Sequence, residues 1–116
     1  MSQDHLSADK YLATVRAEIV RTARMLQAGE IGFLDGIRDL ASLRHEIAPD
    51  GHDQAFMVFV IIDSESDHVP KSESRTLCSA SWLDQCDNEI GELQALHTQD
   101  VNSACKQLIE LFGRDA

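Results

Sequence analysis

The apolar positions of the chain are densest in an uninterrupted run of eight residues, 55–62. The run is short and rich in β-branched residues, so it fits a buried strand as well as a buried helix. Periodicity alone does not distinguish a strand from a helix here. A strand needs neighbours to pair with, and apolar residues elsewhere repeat every three or four positions. We therefore predict a helix over 53–67, hydrophobic on nearly all sides and central in the fold, with a strand as the alternative. Asp53 is the expected N-cap, and Pro70 cannot continue the helix.

Two amphipathic helices precede this run. The first is predicted over 7–28, with Ser7 as its N-cap and Gly29 at its end. Its apolar stripe has helical spacing and contains Leu12, Val15, Ile19, Ala23 and Leu26. The second helix is predicted over 31–47, and the short connection between the two favours an antiparallel hairpin.

The second half of the chain contains turns and a further helical pattern. Turn residues over 48–52 and polar residues over 70–76 predict exposed connections. Ser81 is expected to cap a short helix over 82–88, and a last long helix should follow over 89–112. The fold class is therefore all-α: one domain, 1–116, a bundle of four long helices and one short helix around a single core, with the hydrophobic helix over 53–67 at its centre.

Charge is distributed unevenly along the chain. The net charge is −10, and residues 1–48 contribute −1 whereas residues 49–116 contribute −9. Between 76 and 105 there is no Lys or Arg, while the same stretch holds five acidic residues. Such a field repels nucleic acid and anionic membranes and attracts a basic partner. An acidic surface also keeps a protein soluble, which is the plainer interpretation of net charge.

No segment predicts secretion or membrane insertion. The N-terminus is polar and acidic, unlike a signal peptide, and eight apolar residues do not span a bilayer. We therefore expect a cytoplasmic protein. Three cysteines without a CxxC pair fit a reducing compartment and argue against a disulfide framework, and Cys105 is expected in the core.

The residues with chemical potential do not form a catalytic or metal-binding motif. Asp63, Glu65 and Asp67 alternate as in a calcium loop, but His68 and Ser74 occupy the positions where an EF-hand needs Gly and Glu. The histidines lack paired ligand spacing, and His97 fits a satisfied core residue. We predict no catalytic residue, no metal and no cofactor.

Arg38 and Arg44 lie on the second predicted helix among several acidic residues. They are compatible with an anion site on this helix. Exposed ion pairs on a solvated face are the favoured interpretation, because such pairs are common and individually weak.

The segments Gly29–Arg44 (GEIGFLDGIRDLASLR) and Asp63–Pro70 (DSESDHVP) resemble parts of short bacterial proteins without an assigned activity. In overall type, the chain looks like the small, acidic, all-α immunity proteins with which bacteria neutralise the toxins of neighbouring cells. That resemblance implies a stoichiometric inhibitor that blocks a toxin's active site with carboxylates. It transfers no individual functional residue.

The resemblance implies a protein-binding inhibitor, not an enzyme, whose partner is a toxin, and the charge asymmetry predicts that this partner is basic. The predicted partner surface consists of the acidic residues Asp63, Glu65, Asp67, Asp84, Asp87, Glu89 and Glu92. Two alternatives remain from other classes: a small helical enzyme or ligand-binding domain, and a homo-oligomeric structural protein. A perturbed Arg44–Asp63 pair in an enclosed pocket would favour the first, and an exposed apolar patch would favour the second.

Overall fold

A computed structural model describes residues 2–47 and 53–113, and its helices pack around a shared apolar core. No strand occurs in these two ranges, so the all-α prediction is confirmed and the strand alternative for 55–62 is wrong. The predicted turn over 48–52 lies outside the described residues. The described ranges contain four α-helices, α1 Ser2–Ala28, α2 Phe33–Ile47, α3 Met57–Glu65 and α4 Ala80–Phe112, and short 3-10 helices span Asp53–Phe56 and Ser72–Leu77.

The first two helices form the predicted hairpin. Gly29 ends α1 with a φ of +72°, and the Glu30 N–H donates to the Met25 carbonyl over 2.9 Å, a left-handed helix stop that favours glycine. The helix begins at Ser2, five residues earlier than predicted. Ser7 is therefore inside α1 and is not its N-cap, because no Gly or Pro interrupts the helical stretch that precedes it.

Gly36 allows α1 and α2 to approach closely. A Cβ atom at this position would lie 2.9 Å from Leu26 Cδ1 and 3.2 Å from Ile31 Cγ2. The glycine is therefore explained by packing, although it weakens an isolated helix. The apolar stripes of both helices face this contact, and Ile19, Ile37 and Leu40 are fully buried.

The helix α3 is shorter and less central than predicted. Phe59 and Ile62 are fully buried, but Met57 and Ile61 are 45% and 47% exposed, so the prediction of burial on nearly all sides is wrong. The helix packs on α2 and α4 and leaves its outer side uncovered. It ends at Glu65, where the Ser66 hydroxyl donates to the Ile62 carbonyl over 2.7 Å. Its first turn follows a 3-10 helix, and the side chain of Asp53, the predicted cap, lies outside the described residues.

A single helix replaces the two that were predicted over 82–88 and 89–112. Ser79 is its N-cap and accepts the Trp82 N–H over 3.2 Å, so the prediction that Ser81 is the cap is wrong. No proline separates the two predicted segments, and the helix continues for 33 residues. At 1.5 Å per residue it is about 50 Å long, which explains the 55 × 30 × 22 Å dimensions of the molecule.

The C-terminal half of α4 completes the core. Val101, Cys105, Leu108 and Phe112 are buried against α1, and the Phe112 ring lies 6.1 Å from that of Phe56. The N-terminal half of α4, by contrast, presents much of its surface to solvent.

The polar connection after α3 contains more structure than predicted, since a 3-10 helix spans Ser72–Leu77.

Candidate functional site

The acidic residues predicted as one partner surface fall into three groups. Asp63 and Asp67 line a depression of about 620 Å³ beside α2. Glu65 instead joins Glu89 and Glu92 around a second depression, of about 240 Å³, between α3 and α4. Asp84 and Asp87 line neither depression.

The separation of Asp63 from Glu65 follows from helix geometry. Residues two positions apart point about 200° apart around a helix axis, so they do not face each other. Asp63 consequently faces α2, and Glu65 faces α4. The two depressions lie on opposite flanks of the same short helix.

The larger depression, which we call the α2 depression, is lined by residues of both charge signs. It contains the acidic residues Asp35, Asp39, Asp63, Asp67 and Glu73, the basic residues Arg38 and Lys71, and also Ser42 and Val69. The pKa of Asp39 is raised above its ordinary value, chiefly because partial burial penalises the charged carboxylate. The neighbouring carboxylates of Asp35 and Glu18 raise this pKa further, and Arg21 opposes them.

Arg38 binds the protein's own backbone. Its Nη2 donates to the carbonyl oxygens of Ser66 and Val69, each over 2.7 Å, and only 15% of its side chain is exposed. Its Nε lies 3.8 Å from an Asp63 oxygen. Arg38 is therefore not in an exposed ion pair on a solvated face, and its donors fix the segment that follows α3. Local sequence carries no signal for this contact, because the acceptors lie 28 and 31 residues away.

The smaller depression, which we call the α3–α4 groove, combines acidic and apolar side chains. It is lined by Glu65, Glu89, Glu92, Leu93 and Leu96. The four α4 residues have the spacing i, i+3, i+4 and i+7, so they share one face of the helix. Leu96 is 73% exposed, and Leu93 beside it in the groove is half-buried.

Two histidines accompany the glutamates of the groove. The His68 ring contacts the Glu89 carboxylate and lies 6.3 Å from the Trp82 ring. His97 Nε2 is buried and 3.9 Å from a Glu65 oxygen, too far for a hydrogen bond. It has no hydrogen-bond partner in the described structure, so the prediction of a satisfied core histidine is wrong.

Asp87 is already engaged within the chain. Arg75 donates to its two carboxylate oxygens over 2.9 and 3.0 Å in a bidentate pair. The hydrogen bonds from Arg75 lower the pKa of Asp87, against a smaller opposing effect of desolvation. Asp84, in contrast, is exposed and makes no ion pair with a described side chain.

The cysteines are free thiols, and two of them are fully buried. Burial raises the pKa of Cys105 to about 12 and is also the main cause of the raised pKa of Cys86. A thiol with a raised pKa is a poor nucleophile. Among the side chains that the structure describes, no group of three His, Cys, Asp or Glu could hold a metal ion.

No family model matches the chain, and no curated protein or solved structure is significantly similar to it. None of the described helices combines the length and the apolar character needed to cross a membrane.

Proposed function

We propose that this protein is a stoichiometric inhibitor that binds a basic protein partner through the carboxylates of the α3–α4 groove. The concrete case is an immunity protein that neutralises a basic bacterial toxin in the cytoplasm. One observation carries the proposal: Glu65, Glu89 and Glu92 converge from two helices on a groove without a lysine or arginine in its lining. The stretch of α4 that contributes to the groove lies within the segment that lacks basic residues.

The internal ion pairs distinguish the groove from the other acidic residues. Arg75 neutralises Asp87, and Arg38 and Lys71 share the α2 depression with Asp63 and Asp67. The groove glutamates have at most histidine partners, and Glu92 has no ion-pair partner among the described side chains. A carboxylate without an internal partner is available to a cation of another protein, whereas a paired one must first give up its own.

The resemblance in type to small acidic immunity proteins favours the same function. In this function, exposed carboxylates accelerate the encounter with a basic partner. Carboxylates that become buried against Arg or Lys then slow dissociation.

Charge reversal of each depression tests the proposal. The partner to be measured is the product of the gene adjacent to this one, and the two variants are Glu65→Lys/Glu89→Lys/Glu92→Lys and Asp63→Lys/Asp67→Lys. We expect the first variant to weaken equilibrium binding by at least about tenfold, or 1.4 kcal/mol, and the second to weaken it less. Circular dichroism is the control that each variant is folded. Equal binding by the wild type and the groove variant would refute the proposed function.

A further inference from the structure

We infer that the α3–α4 groove is the docking site for an amphipathic helix of the partner, whose apolar side faces Leu93 and Leu96 and whose Lys or Arg residues reach the glutamates. The inference rests on the proposed function and extends it, since it adds an apolar contact and names the kind of element that binds. Three features of the groove support it: its apolar surface, the charge around that surface, and its size and shape.

The apolar surface of the groove comes from α4. On α4, Leu96 is 73% exposed, and Leu93 is half-buried beside it. On α3, Ile61 lies one turn before Glu65 on the same side of the helix and is 47% exposed. Single exposed apolar residues are ordinary, but Leu93 and Leu96 lie together in the lining of one groove among carboxylates, as in an apolar patch with a polar rim that binds another protein.

The charge around the groove selects among possible occupants. Glu65, Glu89 and Glu92 line it, and Asp100 follows Leu96 by one turn on the same face of α4. A second copy of this chain, with a net charge of −10, would bring the same sign of charge to the contact. Nucleic acid and anionic membranes are repelled for the same reason. A basic peptide segment is complementary.

The size and shape of the groove select a helix. Its volume of about 240 Å³ is below the roughly 300–1,000 Å³ of pockets that enclose small molecules. It accommodates protruding side chains, and its leucines are spaced along a helix. In helix-in-groove recognition, the bound helix presents apolar anchors at positions i, i+3 or i+4, and i+7. Lysines or arginines on its flanks would then lie opposite the glutamates.

The test uses a synthetic peptide of about five helical turns, made of Leu and Lys with the leucines on one helical face. A second peptide has the same composition in scrambled order. Fluorescence anisotropy measures binding to the wild-type protein, and nitrogen–proton correlation spectra locate the contact. We expect the patterned peptide to bind at least about tenfold more tightly than the scrambled one and to shift the signals of Leu93 and Leu96.

Matched variants separate the apolar from the charged contribution. Leu96→Gln should weaken binding of the patterned peptide about tenfold or more, whereas Leu77→Gln, at a leucine that is 87% exposed outside the groove, should not. Glu92→Gln should weaken binding and reduce its salt dependence, while Glu110→Gln on the same helix should leave both unchanged. Each variant is compared with the wild type by circular dichroism.

Equal binding of the two peptides, or full binding by Leu96→Gln, would refute helix docking. If Leu96→Gln also binds the neighbouring gene's product fully while the groove charge-reversal variant does not, helix docking is wrong and the proposed function stands. If Leu96→Gln loses the peptide but charge reversal does not affect the gene product, the proposed function is wrong. Self-association in sedimentation that Leu96→Gln abolishes would identify a second copy as the occupant and overturn the inference.

Discussion

Arg38 shows at the scale of single residues how a charged side chain becomes structural. Its guanidinium donates to two carbonyls just beyond α3, where a helix end leaves backbone acceptors without internal partners. Sequence places Arg38 correctly on α2 but offers only nearby carboxylates as partners. The contact is formed by the tertiary fold, which brings the segment after α3 against α2.

We expect Arg38→Met to lower the free energy of unfolding by roughly 1.5–3 kcal/mol, the usual range for hydrogen bonds that involve a charged group. Arg21→Met is the matched control, because Arg21 is exposed and pairs with Glu18 within the same helix. Its loss should stay below about 1 kcal/mol. Urea denaturation measures both, and equal losses would show that Arg38 contributes no more than a surface pair.

The raised pKa of Asp39 predicts that the stability of the protein depends on pH. This pKa is raised in the folded state, chiefly by desolvation and then by Asp35 and Glu18. The folded protein therefore holds this proton more tightly than the unfolded chain, and ionisation of Asp39 lowers stability as the pH rises through its folded pKa. Asp39→Asn should thus be more stable than the wild type at pH 7, by less than about 1 kcal/mol.

The advantage of Asp39→Asn should vanish at acidic pH, where the carboxyl is protonated in both the folded and unfolded states. Chemical denaturation at neutral and acidic pH measures the difference. A variant that is less stable than the wild type at neutral pH would contradict the assignment.

At the scale of elements, α3 shows what a uniform apolar run conceals. The run indicates burial, and the absence of other strand-like segments favours a helix. The structure confirms the helical prediction. A helix without a polar face, however, gives no sign of which side meets solvent. The exposure of Met57 and Ile61 is consequently visible only in the packed structure.

Phe59 tests the buried side of α3. The ring is fully buried, and Phe59→Ala should cost about 3–5 kcal/mol, as expected for the emptying of a packed aromatic site. Met57→Ala on the outer side should cost less than about 1 kcal/mol, because the side chain is nearly half exposed. Thermal or urea denaturation compares the two, and a cost below about 1 kcal/mol for Phe59→Ala would place it outside the core.

The start of α4 tests the observed cap against the one expected from sequence. Ser79→Ala removes the acceptor of the Trp82 N–H and should cost about 1 kcal/mol. Ser81→Ala lies inside the helix and should change stability by less than about 0.5 kcal/mol. Both serines suit a cap locally, and in the structure the helix begins directly after Ser79. The reverse order of costs in denaturation experiments would restore Ser81 as the cap.

At the scale of the whole molecule, the sequence predicts the helical stripes and the charge asymmetry but not the grouping of the acids. Ile19, Leu40 and Leu108 are buried as their spacing predicts, because burial on a helix follows its period. The convergence of Glu65 with Glu92 depends on how α3 crosses α4. The sequence instead predicts one surface for all seven acidic residues and does not separate Glu65 from Asp63 and Asp67.

The shape of the molecule makes this group of acidic residues accessible to a partner. The N-terminal half of α4, which contains the acidic segment, presents much of its surface to solvent, and the groove forms where α3 packs beside it. Carboxylates from two helices therefore form one local acidic surface. In the sequence, the same charges are visible only as an excess of acidic residues in the second half of the chain.

The most direct test of this function is the association rate with the product of the adjacent gene, measured by stopped-flow fluorescence over a salt series. Glu92→Lys should slow association and flatten its salt dependence, because a rim carboxylate acts mainly by steering the encounter. Glu110→Lys makes the same change of charge on the same helix outside the groove and should have a clearly smaller effect. Indistinguishable rates and salt dependences for the two variants would contradict the assignment of the α3–α4 groove as the binding surface.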